Sequence, residues 1–214
     1  MNKENVFKEL WLIAIVLLPI VMLMIVWNRL PAQMPIHWDI NGQPNGYGPR
    51  WSYPLIAIGI YILLLVLPSL DPLKKNYEIF GDTYFKLKLI LVLFFSATSI
   101  CIMVNELYHN INIGKVISSS LFLLFALVGN YMGNFRRNYF IGYKIPWTLN
   151  SDEVWKKTHV LAGKLWFWGG LLGFALALTS IDKNYLLISI LTIIAIVPMI
   201  YAYFIHRKLE KNLD

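Results

Sequence analysis

The chain has 214 residues, of which 57% are hydrophobic and only 14% are charged. Soluble domains carry about 25% charged residues, and a single core cannot bury such an apolar surplus, so the composition excludes an ordinary soluble protein. The net charge of +7 comes from basic residues scattered over short segments. This dispersal argues against direct nucleic-acid binding.

Six apolar segments follow one another along the chain. Each is close to the length of about 20 residues that crosses about 30 Å of hydrocarbon. The first has no small-residue cleavage site after it, so we expect it to be retained. The pattern predicts an all-α membrane protein, with one polytopic domain over residues 1–214 and spans at 10–30, 51–70, 85–104, 116–132, 160–179 and 185–205.

The basic residues predict the orientation of these spans. When both termini are placed in the cytoplasm, only Arg29, Arg50, Lys115 and Lys183 fall outside. Cytoplasmic loops are enriched in Lys and Arg, so this distribution favours a bundle with both termini inside.

An outer loop at residues 31–50 follows the first span. Its apolar residues Ile36, Trp38 and Ile40 alternate with polar ones, which predicts a strand that lies with one face on an apolar surface. Asn45-Gly46 favours a tight turn. The sequence therefore predicts an ordered extracytoplasmic loop.

The loop presents His37 close to Asp39. Such a pair can form a hydrogen-bonded lock, contact a ligand directly or begin a metal site. A metal site needs three or four ligands, which would require Glu106 and His109 to fold back onto the loop. We predict no metal and favour the lock.

The second distinctive segment is the cytoplasmic stretch 129–164. An amide facing lipid is costly, so Asn130 is expected to point into the bundle and bond a neighbouring helix. Ser151 to Trp155 has the pattern of a helix start, which puts Trp155, Thr158 and His159 on one helical face. The stretch is either a helix-packing elbow or a docking surface, or both. The other loops are short and show no distinct pattern.

Both segments contain residues that resemble the hallmark motifs of the SdpI family, and the resemblance extends over nearly the whole chain. Asn45 stands where an aspartate is expected, and Tyr143-Lys144 where the family tends to have an Ile-Arg-like pair. The matching outer-loop residues are Pro35, His37, Trp38, Asp39, Gly42, Asn45 and Gly46; those of the cytoplasmic motif, centred on 133–159, are Asn130, Asn138, Gly142, Pro146, Trp147, Thr148, Trp155, Thr158, His159 and Lys164.

The resemblance implies a membrane immunity protein of Gram-positive bacteria that protects its producer from a secreted SdpC-like peptide toxin. It implies that the outer-loop residues bind toxin and that the cytoplasmic motif binds a partner. In the best-known member, that partner is an ArsR-like repressor held at the membrane. No cofactor and no enzymatic activity are implied, and the oligomeric state stays open.

Two other function classes remain. A transporter or exporter of a hydrophobic peptide should have ionisable groups within its spans, and the sequence offers few beyond Glu106. A membrane-bound peptidase or metal-dependent enzyme would use His37 and Asp39 or else His159. These are predicted on opposite faces, about 30 Å apart, and cannot share a reaction centre.

Small residues in the fifth span favour close helix contact. Gly169, Gly170 and Gly173 remove side-chain bulk, and Pro19 and Pro198 allow local bends in the first and last spans. The same residues could serve a moving hinge.

Overall fold

The computed structural model describes residues 3–39, 41–109, 111–179 and 184–211. Six of the described helices are long and apolar enough to cross a membrane. The predicted all-α, multi-pass membrane protein is confirmed. The elements in chain order are α1 (Lys3–Val26), a 3-10 turn (Trp27–Arg29), β1 (Gln33–Trp38), β2 (Pro44–Pro49), α2 (Ser52–Leu70), α3 (Lys75–Ile79), α4 (Gly81–Tyr108), α5 (Ile113–Met132), α6 (Pro146–Leu149), α7 (Asp152–Leu178) and α8 (Asn184–Glu210).

Several helices are longer than the apolar segments that predicted them. Helix α1 begins at Lys3, and α7 begins at Asp152, well before the predicted residue 160. Hydropathy marks only the apolar part of a helix, whereas backbone hydrogen bonding continues through polar residues. The Ser151 side chain caps α7 by accepting a hydrogen bond from the Val154 backbone N–H at 3.3 Å.

The described residues form two compact units. The first contains Met1–Leu65 and Lys88–Ser120, and the second contains Val66–Leu87 and Leu121–Asp214. The single domain expected over 1–214 stays a prediction. The first unit has an apolar cluster that joins the outer loop to four helices, α1, α2, α4 and α5; its members are Leu23, Val26, Leu30, Met34, Tyr53, Ile102, Met103 and Ile113.

An ion pair connects two helices of the first unit. Lys88 on α4 is only 7% exposed and pairs with Glu9 on α1, which also accepts a hydrogen bond from the Tyr61 hydroxyl at 3.1 Å. Both charges lie near the N-terminal ends of their helices. The pair therefore holds helix ends together, and Lys88 is one of the few charged residues that fall within the predicted spans.

The second unit packs α5 closely against α7. A Cβ on Gly170 would lie 2.4 Å from the Ala126 backbone nitrogen, and a Cβ on Gly173 would lie 2.1 Å from Cδ1 of Phe122. The predicted close contact is confirmed at these glycines. Gly169 faces α8 instead, where a Cβ would lie 2.9 Å from Ile194. A hinge at these positions stays a prediction.

Candidate functional site

The outer hairpin, defined here as residues 33–49, is an antiparallel ribbon with two bulges. Pro35 pairs with Tyr47 and His37 with Gly46, which leaves Ile36 unpaired. The next paired position is Trp38 with Pro44, so Asn45 is the extra residue on the other strand. The two bulges compensate each other and keep the strands in register.

The bulges change which residues of the hairpin face inwards. Met34 is fully buried and Trp38 packs against the same apolar cluster, but Ile36 between them is 47% exposed. The predicted burial of Ile36 is therefore wrong, because the bulge breaks the period of two that the strand pattern assumed. Ile40 lies outside the described residues.

His37 and Asp39 each bond elsewhere instead of to one another. The Nδ1–H of His37 donates to Oδ1 of Asn45 at 2.5 Å. Oδ1 of Asp39 accepts the backbone N–H groups of Asn41 and Gln43, both at 2.8 Å. The predicted lock between His37 and Asp39 is therefore wrong, because each side chain holds the turn through its own partners. Asn45 supplies the acceptor for His37 at the position where an aspartate was expected.

The four side chains considered for a metal site do not come together in the described part of the chain, where no group of three potential ligands converges. His37 and Asp39 are used in the hairpin, while His109 is exposed at the end of α4 in a left-handed conformation with φ of 50°. The four-ligand arrangement that would include Glu106 is therefore not assembled among the described residues.

Backbone contact between two glycines places the hairpin turn on α5. Gly42 has φ of 76°, a conformation that favours glycine. A Cβ on Gly114 would lie 2.5 Å from the Cα of Gly42. The sequence had singled out Gly42 but not Gly114. A glycine at the start of a helix gives little signal alone, so only the fold reveals this contact.

The inner elbow, defined here as residues 134–159, is organised around the fully buried amide of Asn138. Its Oδ1 accepts the N–H groups of Phe140 and Ile141 at 2.9 and 2.6 Å. Its Nδ2 donates to the carbonyls of Arg136 and Ile141 at 2.8 and 3.2 Å. The side chain satisfies the backbone groups of a segment that has no regular secondary structure.

Asp71 is a further support of the elbow that the sequence analysis missed. It is 2% exposed, and its Oδ2 accepts the Tyr139 backbone N–H at 2.8 Å and the Tyr77 hydroxyl at 3.1 Å. Burial, followed by the charge of Asp71, raises the pKa of Tyr77, which therefore stays a donor. Asn76 also donates to the Arg137 carbonyl at 2.6 Å.

Asp71 lies in the connection between α2 and α4, one of the loops in which the sequence showed no distinct pattern. The expectation that this connection carries no information is wrong. One signal was present in the sequence: Asp71 comes directly after an apolar span, where a carboxylate needs hydrogen-bond donors.

His159 is a buried, fully bonded imidazole. Its Nδ1–H donates to the Trp155 carbonyl at 2.8 Å, and its Nε2 accepts the Tyr143 backbone N–H at 3.0 Å. The ring stacks on Trp155 with centroids 4.0 Å apart. Gly142 has φ of 104°, and a Cβ there would lie 2.2 Å from Nε2 of His159. Gly142 and His159, which both belong to the cytoplasmic motif, therefore pack directly against each other.

The remaining motif residues divide into buried and exposed sets. Trp155, Thr158 and His159 share a buried face, as their helical spacing predicts. The Trp155 Nε1–H donates to the Phe135 carbonyl at 2.9 Å, and the Thr148 hydroxyl donates to the Tyr143 carbonyl at 2.5 Å. The residues open to a partner are instead Asn130, Pro146 and Lys164, with Trp147 half-buried.

Asn130 corrects one expectation. It is exposed, whereas an inward-facing amide was predicted. Its neighbour Gly129 takes the position against α7, since a Cβ there would lie 2.6 Å from the backbone nitrogen of Phe167. Successive residues of a helix point about 100° apart, so Asn130 is turned away from that contact.

Tyr143 links the elbow to α8 at a proline. Pro198 has no N–H, so it leaves the carbonyl of Ile194 without its usual helical partner. The Tyr143 hydroxyl donates to that carbonyl and accepts the Trp166 Nε1–H at 2.8 Å. Burial raises the pKa of Tyr143, which keeps the hydroxyl protonated. The sequence had treated Tyr143 only as a departure from the family pattern.

Comparisons with known proteins match the outer hairpin and the inner elbow to two different families. Residues 134–202 match the SdpI/YfhL protein family, and residues 14–62, which include the outer hairpin, match a domain of unknown function, DUF1648. The chain is 24% identical to Immunity protein SdpI of Bacillus subtilis (strain 168), over 97% of this chain and 98% of that protein. No solved structure matches. The predicted resemblance to the SdpI family is confirmed, and the residues that match the family model form the inner elbow, α7 and most of α8.

Proposed function

We propose that this chain is a membrane immunity protein that protects its cell by binding a secreted, apolar peptide toxin at the outer hairpin. The observation that carries the proposal is the similarity to Immunity protein SdpI over nearly the full length of both chains. The match includes the hairpin and the elbow, so it is not limited to generic apolar helices.

The hairpin offers a rigid, partly apolar contact surface. Ile36 is 47% exposed and Tyr47 is 60% exposed on a ribbon that lies outside the spanning helices. Trp38 packs against the apolar cluster beneath the hairpin, and its buried Nε1–H has no acceptor among the described residues. These side chains suit an apolar peptide that arrives from the membrane surface.

The other predicted toxin-binding residues have a different role in this proposal, because they maintain the shape of the hairpin. Pro35 is buried, and a Cβ on Gly46 would lie 3.0 Å from the Cβ of His37. His37 and Asp39 are used by the turn itself. We therefore expect variants at these positions to weaken protection through loss of shape.

We place the inner elbow in the cytoplasm, since three crossings separate it from the hairpin along the chain. Beside it, a cavity of about 220 Å³ is lined partly by Arg136 and Lys156, next to Phe80 and Phe135. A basic and aromatic surface suits an acidic partner, so the elbow is a candidate docking site for a cytoplasmic ArsR-like repressor.

The proposed mechanism is non-enzymatic. Both ring nitrogens of His159 are bonded to the backbone. His37 and Asp39 hold the hairpin and do not form a reacting pair. Protection would then follow from binding the toxin without cleaving it.

The test is survival of a toxin-sensitive bacterium that expresses the chain. We expect protection, with the toxin recovered at unchanged mass. The double variant Ile36→Ser/Tyr47→Ser should lose most protection at equal membrane abundance, whereas Gln33→Ser, an exposed change on the same hairpin, should retain it.

Three results would contradict this proposal. Full protection by the double variant would remove the hairpin as the binding surface. Cleaved toxin would indicate an enzyme, and energy-dependent loss of toxin from the cells would indicate an exporter.

A further inference from the structure

The C-terminal end of α8 contains a cationic and aromatic cavity that neither of the two motif regions includes. Its volume is about 430 Å³. The residues that line it are Tyr203, Phe204, Arg207, Lys208 and Lys211. All five are exposed, and together they leave three cations around a partly apolar surface.

The lining residues form two rows along the helix. Tyr203, Arg207 and Lys211 are four residues apart, and Phe204 and Lys208 make a second row with the same spacing. In both rows the aromatic ring lies nearer the apolar body of α8 and the cation lies nearer its end. A leaflet has the same order, because acyl chains give way to an interface that favours aromatic rings and then to phosphates.

The three cations have no carboxylate partner in the described part of the chain. The nearby Glu210 pairs with His206, with Nε2 and Oε1 3.3 Å apart. Cations at a helix C-terminus also interact favourably with the helix dipole. The dipole does not account for the two aromatic side chains that line the cavity with the cations, whereas a ligand with an anionic group beside an apolar part accounts for both.

We propose that this end of α8 binds the phosphate group of an anionic phospholipid in the leaflet where the helix ends. A guanidinium and two ammonium groups can donate several charge-assisted hydrogen bonds to one phosphate. Tyr203 and Phe204 contact the glycerol and upper acyl region. The site needs only that α8 crosses the bilayer, and it does not depend on toxin binding.

The site adjoins the inner elbow. The Trp147 ring lies 5.4 Å, centroid to centroid, from that of Tyr203 on the cavity wall. The glycerol region of a bound lipid would therefore stand beside the half-buried Trp147 and restrain the segment around α6.

The experiment measures lipid selectivity of the purified full-length chain. The protein is reconstituted in nanodiscs of equal phosphatidylglycerol and phosphatidylcholine, released into neutral detergent, and analysed by native mass spectrometry for retained lipid. We expect phosphatidylglycerol to be retained preferentially. Each cation near an anionic surface contributes about fivefold to lipid binding. The double variant Arg207→Gln/Lys211→Gln, which removes two cations, should therefore reduce the preference at least about tenfold. Lys74→Gln/Lys75→Gln removes the same charge elsewhere and should leave it unchanged.

Thermal unfolding in neutral detergent checks that both double variants are folded. Added glycerol phosphate at millimolar concentration should not displace the retained lipid, which distinguishes a lipid site from a site for free phosphate. Equal loss of preference in both double variants would show general charge attraction and would overturn the proposal. So would an absence of preference in the unaltered chain.

Discussion

The outer hairpin and the inner elbow are both ordered connecting segments, but different interactions hold them. The hairpin is fixed by exposed hydrogen bonds within its own turn, by the packing of Met34 into an apolar cluster and by one glycine-to-glycine contact with α5. The elbow is fixed by side chains buried at 0% exposure, including Asn138 and His159, whose bonds satisfy its backbone. A buried bond that is broken leaves an unsatisfied group, whereas an exposed one is replaced by water. The elbow should therefore be sensitive to substitution in stability, and the hairpin mainly in function.

The largest effect is expected for Gly142→Ala. The new Cβ would lie 2.2 Å from Nε2 of His159, at a backbone with φ of 104°. Steric overlap and backbone strain together should lower the free energy of unfolding by on the order of 3 kcal/mol. Thermal unfolding of the purified protein in detergent measures this loss.

Gly59→Ala is the matched control, since nothing lies within 4 Å of a Cβ at that position of α2. His159→Ala is itself destabilising, but in that background Gly142→Ala should cost less than it does in the unaltered chain, because the overlap with the ring is gone. An unchanged unfolding temperature for Gly142→Ala would show that the elbow is not packed as described.

A smaller loss is expected for Asp71→Asn. An amide can accept at only one of the two positions where the carboxylate accepts, so a donor such as the Tyr139 N–H is left unsatisfied. We expect a loss of about 2 kcal/mol in the free energy of unfolding. Asp152→Asn makes the same chemical change at a carboxylate that is 78% exposed and should have little effect. Equal losses in the two variants would contradict the buried role of Asp71.

Tyr143→Phe tests the contact between the elbow and α8. It removes the donor to the Ile194 carbonyl, but the Trp166 Nε1–H lies 3.3 Å from that carbonyl and can partly replace it. We expect a loss of about 1 kcal/mol. Tyr139→Phe, at an exposed ring, is the control and should be neutral. A Pro198→Ala change should reduce the effect of Tyr143→Phe, because a helical N–H then becomes available to Ile194.

The parts of this fold that the sequence predicted are those with a local signal. Length and hydropathy indicated six helices, and spacing within α7 placed Trp155, Thr158 and His159 on one buried face. Gly142 was singled out from the motif, although its contact with His159 appears only in the structure.

The features that the sequence missed depend on distant pairs or on small backbone changes. Asp71 bonds the backbone of Tyr139, which is 68 residues away, and Gly114 contacts Gly42. A single extra residue at Ile36 reversed the burial that alternation predicted. The prediction for Asn130 was wrong because it rested only on the general cost of a lipid-facing amide. The structure packs the neighbouring Gly129 against α7, which turns Asn130 away from that contact.

The smallest effect on stability is expected at the contact between His37 and Asn45. It is exposed and joins two side chains that water can solvate equally well, so Asn45→Ala should cost less than about 1 kcal/mol. His37→Ala should cost the same, and the double variant should cost little more than either, because all three remove one interaction. Protection against toxin should nevertheless fall in all three, since the bulged shape that presents Ile36 depends on this contact. A loss of stability as large as that of Gly142→Ala would break the distinction between the two regions, and full protection would separate the contact from function.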